Sequence, residues 1–98
     1  MSCAAPDQGQ TAGPVADGAT VLDGRVADAA GPVAGAYVRL LDRTGEFVAE
    51  VVSGPLGQFR FHVVPGTWTV RVLVPGAEAQ REVATVSGAN WVEVPLER

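Results

Sequence analysis

The chain has 98 residues, 47% of them hydrophobic, and a formal net charge of −4, which suits one small domain with one core. The acidity argues against a nucleic-acid partner, which wants a basic face, and no apolar run reaches the roughly 18 residues of a membrane span. A single cysteine, Cys3, and a single histidine, His62, exclude an internal disulfide and the multi-ligand patterns of metal sites, so no metal or cofactor is expected.

Residues 1–19 are small, polar and turn-forming, without periodicity, and are expected to form a flexible arm. They lack the basic region and apolar core of an export signal, and Cys3 stands too near the start to follow one. The cytoplasm is the expected location. Residues 20–98 are expected to form a single domain. Strand-like runs recur there every 8 to 12 residues between Gly, Pro and Asp, the pattern of an all-β sandwich or barrel.

The first run, Val21 to Ala27, points Leu22, Gly24 and Val26 to one face and Asp23 and Arg25 to the other. The second, Ala36 to Leu41, places Ala36, Val38 and Leu40 inward with Tyr37 and Arg39 outward. After a turn at Asp42 to Gly45 comes Phe47 to Ser53, for which Phe47, Ala49 and Val51 form the favoured inward set, since the alternative buries Glu50. The clearest unit follows the turn Ser53 to Gly57. Phe59, Phe61 and Val63 alternate with Gln58, Arg60 and His62; beyond Pro65-Gly66, Trp68, Val70 and Val72 alternate with Thr67, Thr69 and Arg71. Period-two alternation on both sides of a turn dipeptide predicts two half-buried antiparallel strands. A tight turn would set Arg60 opposite Arg71; an arch between two sheets is the other solution, since Pro-Gly suits type II turns better than two-residue hairpins. Gln80 to Val86 and Trp91 to Leu96 complete the set, with Val92, Val94 and Leu96 inward. Pro95 lacks an N–H and favours an edge for the last strand. About seven strands result, enough for an antiparallel sandwich.

Gly24-Arg25-Val26, Gly31 to Leu40 (GPVAGAYVRL), Gly57-Gln58-Phe59 and Pro65 to Trp68 (PGTW) together resemble carboxypeptidase regulatory-like and collagen-adhesin B-type domains. That resemblance implies a seven-stranded, prealbumin-like Greek key, a fold that serves as spacer, binding module or accessory domain. The adhesin relatives carry a lysine-derived isopeptide cross-link. This chain has no lysine, all seven basic residues being arginine, so the cross-link cannot form. Over nearly the whole chain, Ala36 to Asp42 (AYVRLLD), Glu46 to Val52 (EFVAEVV), Phe59-Arg60-Phe61 and Pro65 to Trp68, with Met1-Ser2-Cys3 and Pro6 to Gly9 (PDQG), are similar to a small uncharacterised family of high-GC Gram-positive bacteria. Its members are encoded beside a thiosulfate sulfurtransferase. The resemblance implies an accessory role in sulfur metabolism and supplies no active site to carry over.

Three groups of candidate residues emerge. Cys3 is the only soft nucleophile; in a mobile arm it could accept a sulfane sulfur from a sulfurtransferase, although no basic neighbour lowers its pKa. Arg60, His62 and Arg71 lie on the outward row of the central unit, where two arginines face to face could hold a small anion or a partner, or simply be solvated surface. Tyr37 and Trp91 alternate away from the core and suit a partner, peptide or sugar surface. Asp23, Asp28, Asp42, Glu46 and Glu50 fall mostly at turns, and no isolated carboxylate pair suggests acid–base catalysis. The expected function is therefore a non-catalytic accessory module acting through a sulfurtransferase partner. The alternatives are a Cys3 persulfide carrier and a carbohydrate- or peptide-binding sandwich; an exposed edge strand also offers a route to a homodimer.

Overall fold

In the computed structural model, which describes residues 18–97, eight strands form two facing four-stranded sheets, with no helix among the described residues. In chain order they are β1 (Val21–Asp28), β2 (Gly31–Pro32), β3 (Tyr37–Leu41), β4 (Phe47–Val52), β5 (Gln58–His62), β6 (Gly66–Val74), β7 (Ala77–Thr85) and β8 (Ala89–Pro95). The first sheet holds β1, β2, β5 and β8; the second runs β4-β3-β6-β7.

β1 is the spine of the first sheet. β8 runs parallel along one of its edges, from Val21 opposite Ala89 to Ala27 opposite Pro95. The other edge is shared end to end by β5, antiparallel to Val21–Arg25, and the two-residue β2, opposite Ala27 and Asp28. Val26 marks the handover: its N–H donates to the Gly57 carbonyl at 2.8 Å and its own carbonyl accepts from Val33 at 2.9 Å. About seven antiparallel strands were expected; the described residues hold eight, counting the two-residue β2, and one pair, β1–β8, is parallel. Parallel neighbours need a long crossover connection; here β2 to β7 supply it. Among the described residues β8 pairs only with β1, which puts Pro95 on an edge strand there.

The connection at Pro65-Gly66 is an arch, not a hairpin. β5 pairs with β1, whereas β6 pairs with β3 and β7. Its peptide groups bond outward to both sheets: Val63 N–H to the Thr20 carbonyl (3.0 Å), Gly66 N–H to the Thr85 hydroxyl (3.1 Å), and the Trp68 indole N–H to the Val64 carbonyl (3.0 Å). Phe59 and Phe61 therefore face Val70 and Val72 across the sandwich. The tight hairpin lies instead at the second Pro-Gly, Pro75-Gly76, where Val74 pairs with Ala77 and Gly76 takes φ +82°.

The alternation that marked the strands also marks the core. Leu22, Val26, Val38, Leu40, Val51, Phe59, Phe61, Val70, Val72, Val94 and Leu96 are buried, and Trp68 and Val92 pack half-buried against them. Each large aliphatic or aromatic side chain so buried contributes roughly 1.5 to 3 kcal/mol. Gly24 belongs to this layer for a steric reason: a Cβ there would run into the Phe59 ring and the Val92 carbonyl. Phe47 departs from expectation and is 61% exposed. A bulge between Leu40 and Leu41 sets Phe47 opposite Leu41, so the inward phase of Ala49 and Val51 ends before it. Ser53 closes the end of β4: its hydroxyl donates to the Val33 carbonyl (2.8 Å) and accepts from the Ala36 N–H (2.9 Å) in a buried setting.

Candidate functional site

The outer face of the first sheet carries a trough of about 420 Å³ lined by Asp23, Gly24, Arg25, Pro32, Leu56, Gln58, Phe59, Arg60 and Trp91, a volume in the range of small-ligand and side-chain pockets. The register builds it. Asp23 on the central strand lies opposite Arg60 of β5 and Trp91 of β8, and Arg25 lies opposite Gln58 and Glu93. Three strands thus present two adjacent cross-strand rows. The loops preceding β5 and the end of β1–β2 add the apolar walls Leu56 and Pro32.

The centre of the trough is an ion pair with both groups engaged twice. Arg60 Nε donates to Asp23 Oδ1 at 2.5 Å and Nη2 to Oδ2 at 3.0 Å, with the two side chains only 15% and 20% exposed. This fork-to-fork geometry is the strong form of an arginine–carboxylate pair. The hydrogen bond that Arg60 donates to Asp23 raises the Arg60 pKa above its ordinary value, against a smaller opposing effect of burial. The rim is apolar: Trp91 is 60% and Leu56 66% exposed. Gln58 Oε1 is occupied by the Leu56 N–H at 2.8 Å.

The sequence-selected residues fall apart into separate surfaces. Arg60 and Arg71 are on different sheets, so they do not face each other; the arch at Pro65-Gly66 is the reason. Arg71 lies opposite Arg39 and is held by Glu78 at 2.6 Å, while Arg39 is held by Glu50 at 2.7 Å. The row Glu50–Arg39–Arg71 with Glu78 alongside neutralises itself on the outer face of the second sheet. His62 is exposed on β5 opposite Val21. Tyr37, on β3, and Trp91, on β8, are both exposed but belong to opposite sheets and form no common patch. Cys3 lies outside the described residues.

Asp23 was placed on the outward face of the first strand, and there it anchors an ion pair with Arg60. Leu56, Pro32, Arg25 and Gln58 went unselected. The lone large apolar side chain in the turn Ser53 to Gly57 was the available sign for Leu56. Asp42 does play the turn role: its Oδ1 accepts from the Thr44 hydroxyl (2.6 Å), the Thr44 N–H (2.8 Å) and the Glu46 N–H (3.0 Å). Those bonds, the Thr44 hydroxyl foremost, hold its carboxyl below the ordinary value. Asp28 caps the β1–β2 turn through the Ala30 N–H at 2.8 Å. Among the described residues no group of three His, Cys, Asp or Glu side chains is placed to hold a metal ion, and no helix is long and apolar enough to cross a membrane.

Residues 3–96 match the family model described as a protein of unknown function, DUF1416. The chain belongs to this family. It is similar to an uncharacterised protein of Mycolicibacterium smegmatis, 49% identical over 79 residues covering 79% of this chain and 88% of that protein. Two uncharacterised proteins of Mycobacterium tuberculosis are each 44% identical over 97 residues, covering 96% of both chains. The family match thus spans both sheets and every strand that contributes to the trough.

Proposed function

We propose that this DUF1416 protein is a non-catalytic accessory module of sulfur metabolism that docks a sulfurtransferase through the trough on its first sheet. The observation that carries this is the half-buried Asp23–Arg60 pair in a trough that also takes in Trp91, exposed on a strand face, and Leu56, exposed in the turn before β5. A tryptophan and an arginine in a pocket with an apolar rim are the commonest ingredients of an interface hot spot. Both charges of the central pair are spent on each other, which suits a surface that is covered better than one that performs proton transfer. The sulfurtransferase comes from the resemblance of the whole chain to proteins encoded beside one, and a cytoplasmic setting goes with it. The same reading takes the sandwich as a prealbumin-like Greek key used as a scaffold; eight strands in two facing sheets are compatible with it.

Affinity capture from native lysate tests the proposal. A sulfurtransferase identified by mass spectrometry on the parent protein and lost with Trp91→Ala is the expected result. A clean monomer without sulfurtransferase at any stage overturns it. Incubation with thiosulfate and a sulfurtransferase, followed by intact mass, separates the carrier alternative: gain of one sulfur atom, abolished by Cys3→Ser, would replace docking alone with persulfide transfer.

A further inference from the structure

We infer that the crossing from β7 to β8, residues 86–88, is a strand-exchange hinge held shut by Asn90. With that latch released, β8 leaves its own β1 and pairs with β1 of a second copy of this chain. Trp91 is the one residue that β8 supplies to the trough lining, so in the exchanged pair Trp91 of one chain completes the trough of the other. The inference does not depend on the sulfurtransferase reading.

The attachments of β8 are ones that another copy reproduces without loss. Among the described residues its only strand partner is β1, in the register from Val21–Ala89 to Ala27–Pro95. Val94 and the following Leu96 are buried in the core. All these contacts return when the strand comes from a second copy, which is what makes domain swapping a low-cost route to dimers. Only the crossing differs between the closed and the exchanged form, so the crossing decides between them.

The crossing is short and joins strands of opposite sheets. Gly88 takes φ +97° to make the bend, a conformation that a straightened connection does not need. Val86 is 66% exposed, an apolar side chain that the closed form leaves in water. In an exchanged pair the two straightened crossings lie side by side about the two-fold axis, where the two Val86 side chains cover one another.

Asn90 opposes the opening. Its Oδ1 accepts from the Val86 N–H at 3.0 Å, and its Nδ2 donates to the carbonyls of Val86 at 2.9 Å, Gly88 at 3.2 Å and Val21 at 3.0 Å. The Val21 bond ties β8 to β1 and forms whichever copy supplies β1. The bonds to Val86 and Gly88 hold the crossing bent. Without them, closure competes with exchange only through the effective concentration of a short tether, on the order of millimolar.

The test compares the parent with Asn90→Ala and with a deletion of Ser87, all under reducing conditions that remove any disulfide through Cys3. Light scattering of Asn90→Ala should show monomer and dimer in comparable amounts near about 1 mM, where the parent stays monomeric. In a co-refolded mixture of isotope-labelled and unlabelled chains, filtered nuclear Overhauser spectra should connect Val26 of one chain with Val94 of the other, register partners buried in the core. Deleting Ser87 shortens the crossing and should give the same dimer with Asn90 in place. Replacing Ser87 by Gly-Ser-Gly in the Asn90→Ala background should return the monomer, since lengthening a hinge relieves exchange. A folded Asn90→Ala protein that stays monomeric overturns the inference, as does a dimer without the Val26–Val94 contact. Where Asn90→Ala fails to fold, the deletion variant decides by the same two readings. Capture of a sulfurtransferase is a separate readout, so either idea can fall alone.

Discussion

Gly24→Ala is the smallest change that should injure this fold, and the structure sets its size. Gly24 lies mid-way along β1 with Phe59 opposite on one side and Val92 on the other. An ideal Cβ would stand 2.6 Å from the Val92 carbonyl oxygen and overlap the Phe59 ring. Ordinary van der Waals separation at such a contact needs the carbonyl to retreat by roughly 0.8 Å in an interior packed as tightly as a crystal. That carbonyl belongs to a strand bound to β1, and Phe59 is 1% exposed within the core cluster. Overpacking costs about 1 to 3 kcal/mol, with the upper end applying where backbone must shift. The lost flexibility of the unfolded chain returns about 0.5 to 1 kcal/mol. The net loss should be about 2 kcal/mol, and on a domain of this size the melting temperature should fall by roughly 8 to 16 °C. Urea unfolding followed by tryptophan fluorescence, with calorimetry beside it, measures both. Phe59→Leu relieves the ring overlap and leaves the carbonyl, so it should cost less in the Gly24→Ala background than in the parent. A Gly24→Ala protein as stable as the parent, with no coupling to Phe59→Leu, would refute the close-approach argument.

Other outcomes follow from the same contacts. Ser53→Ala should cost about 1 to 3 kcal/mol, because it orphans the buried Ala36 N–H and removes a donor from the Val33 carbonyl; thermal unfolding gives the loss, and hydrogen exchange at Ala36 should accelerate. Asp42 has a folded-state pKa below its unfolded value, so its contribution is complete above about pH 4 and is lost as pH falls through the folded pKa. A carbon-detected titration should show that Thr44→Val moves the Asp42 midpoint upward; an unmoved midpoint contradicts the assigned cause. Arg81 of β7 takes the core-facing phase opposite Val70 yet remains exposed on an edge strand, a guard against edge-to-edge pairing. Arg81→Val should therefore raise the apparent mass in light scattering as concentration increases, while the parent's stays constant.

Period-two alternation made the longer strands and most of the core legible, because strands such as β1, β3 and β5 bury one face and wet the other. It carried no information about which sheet a strand joins. The dipeptide Pro-Gly occurs at residues 65–66 and again at 75–76, and only the second closes a hairpin. The first is held open by Thr20 and Thr85, partners distant in sequence. For the same reason Arg60 was visible as an outward residue while its tie to Asp23 was not. Trp91 was readable as an exposed ring; the trough beside it was not, since it exists only when residues 23, 60 and 91 come to lie on three adjacent strands. Phe47 misled because a bulge shifts phase without leaving a mark in composition.

The parallel seam between β1 and β8 has a consequence for how the molecule is made. Every rung from Val21–Ala89 to Ala27–Pro95 joins the two extremes of the described domain, so the first strand to leave the ribosome waits for the last. Until then one edge of β1 is open and Leu22 and Val26 lack the cover of Val94 and Leu96. Such long-range closure slows folding and lengthens the interval in which an unfinished sheet can meet another chain. The trough inherits that timing: without β8 there is no Trp91 wall, so a nascent or C-terminally clipped chain cannot form the finished trough.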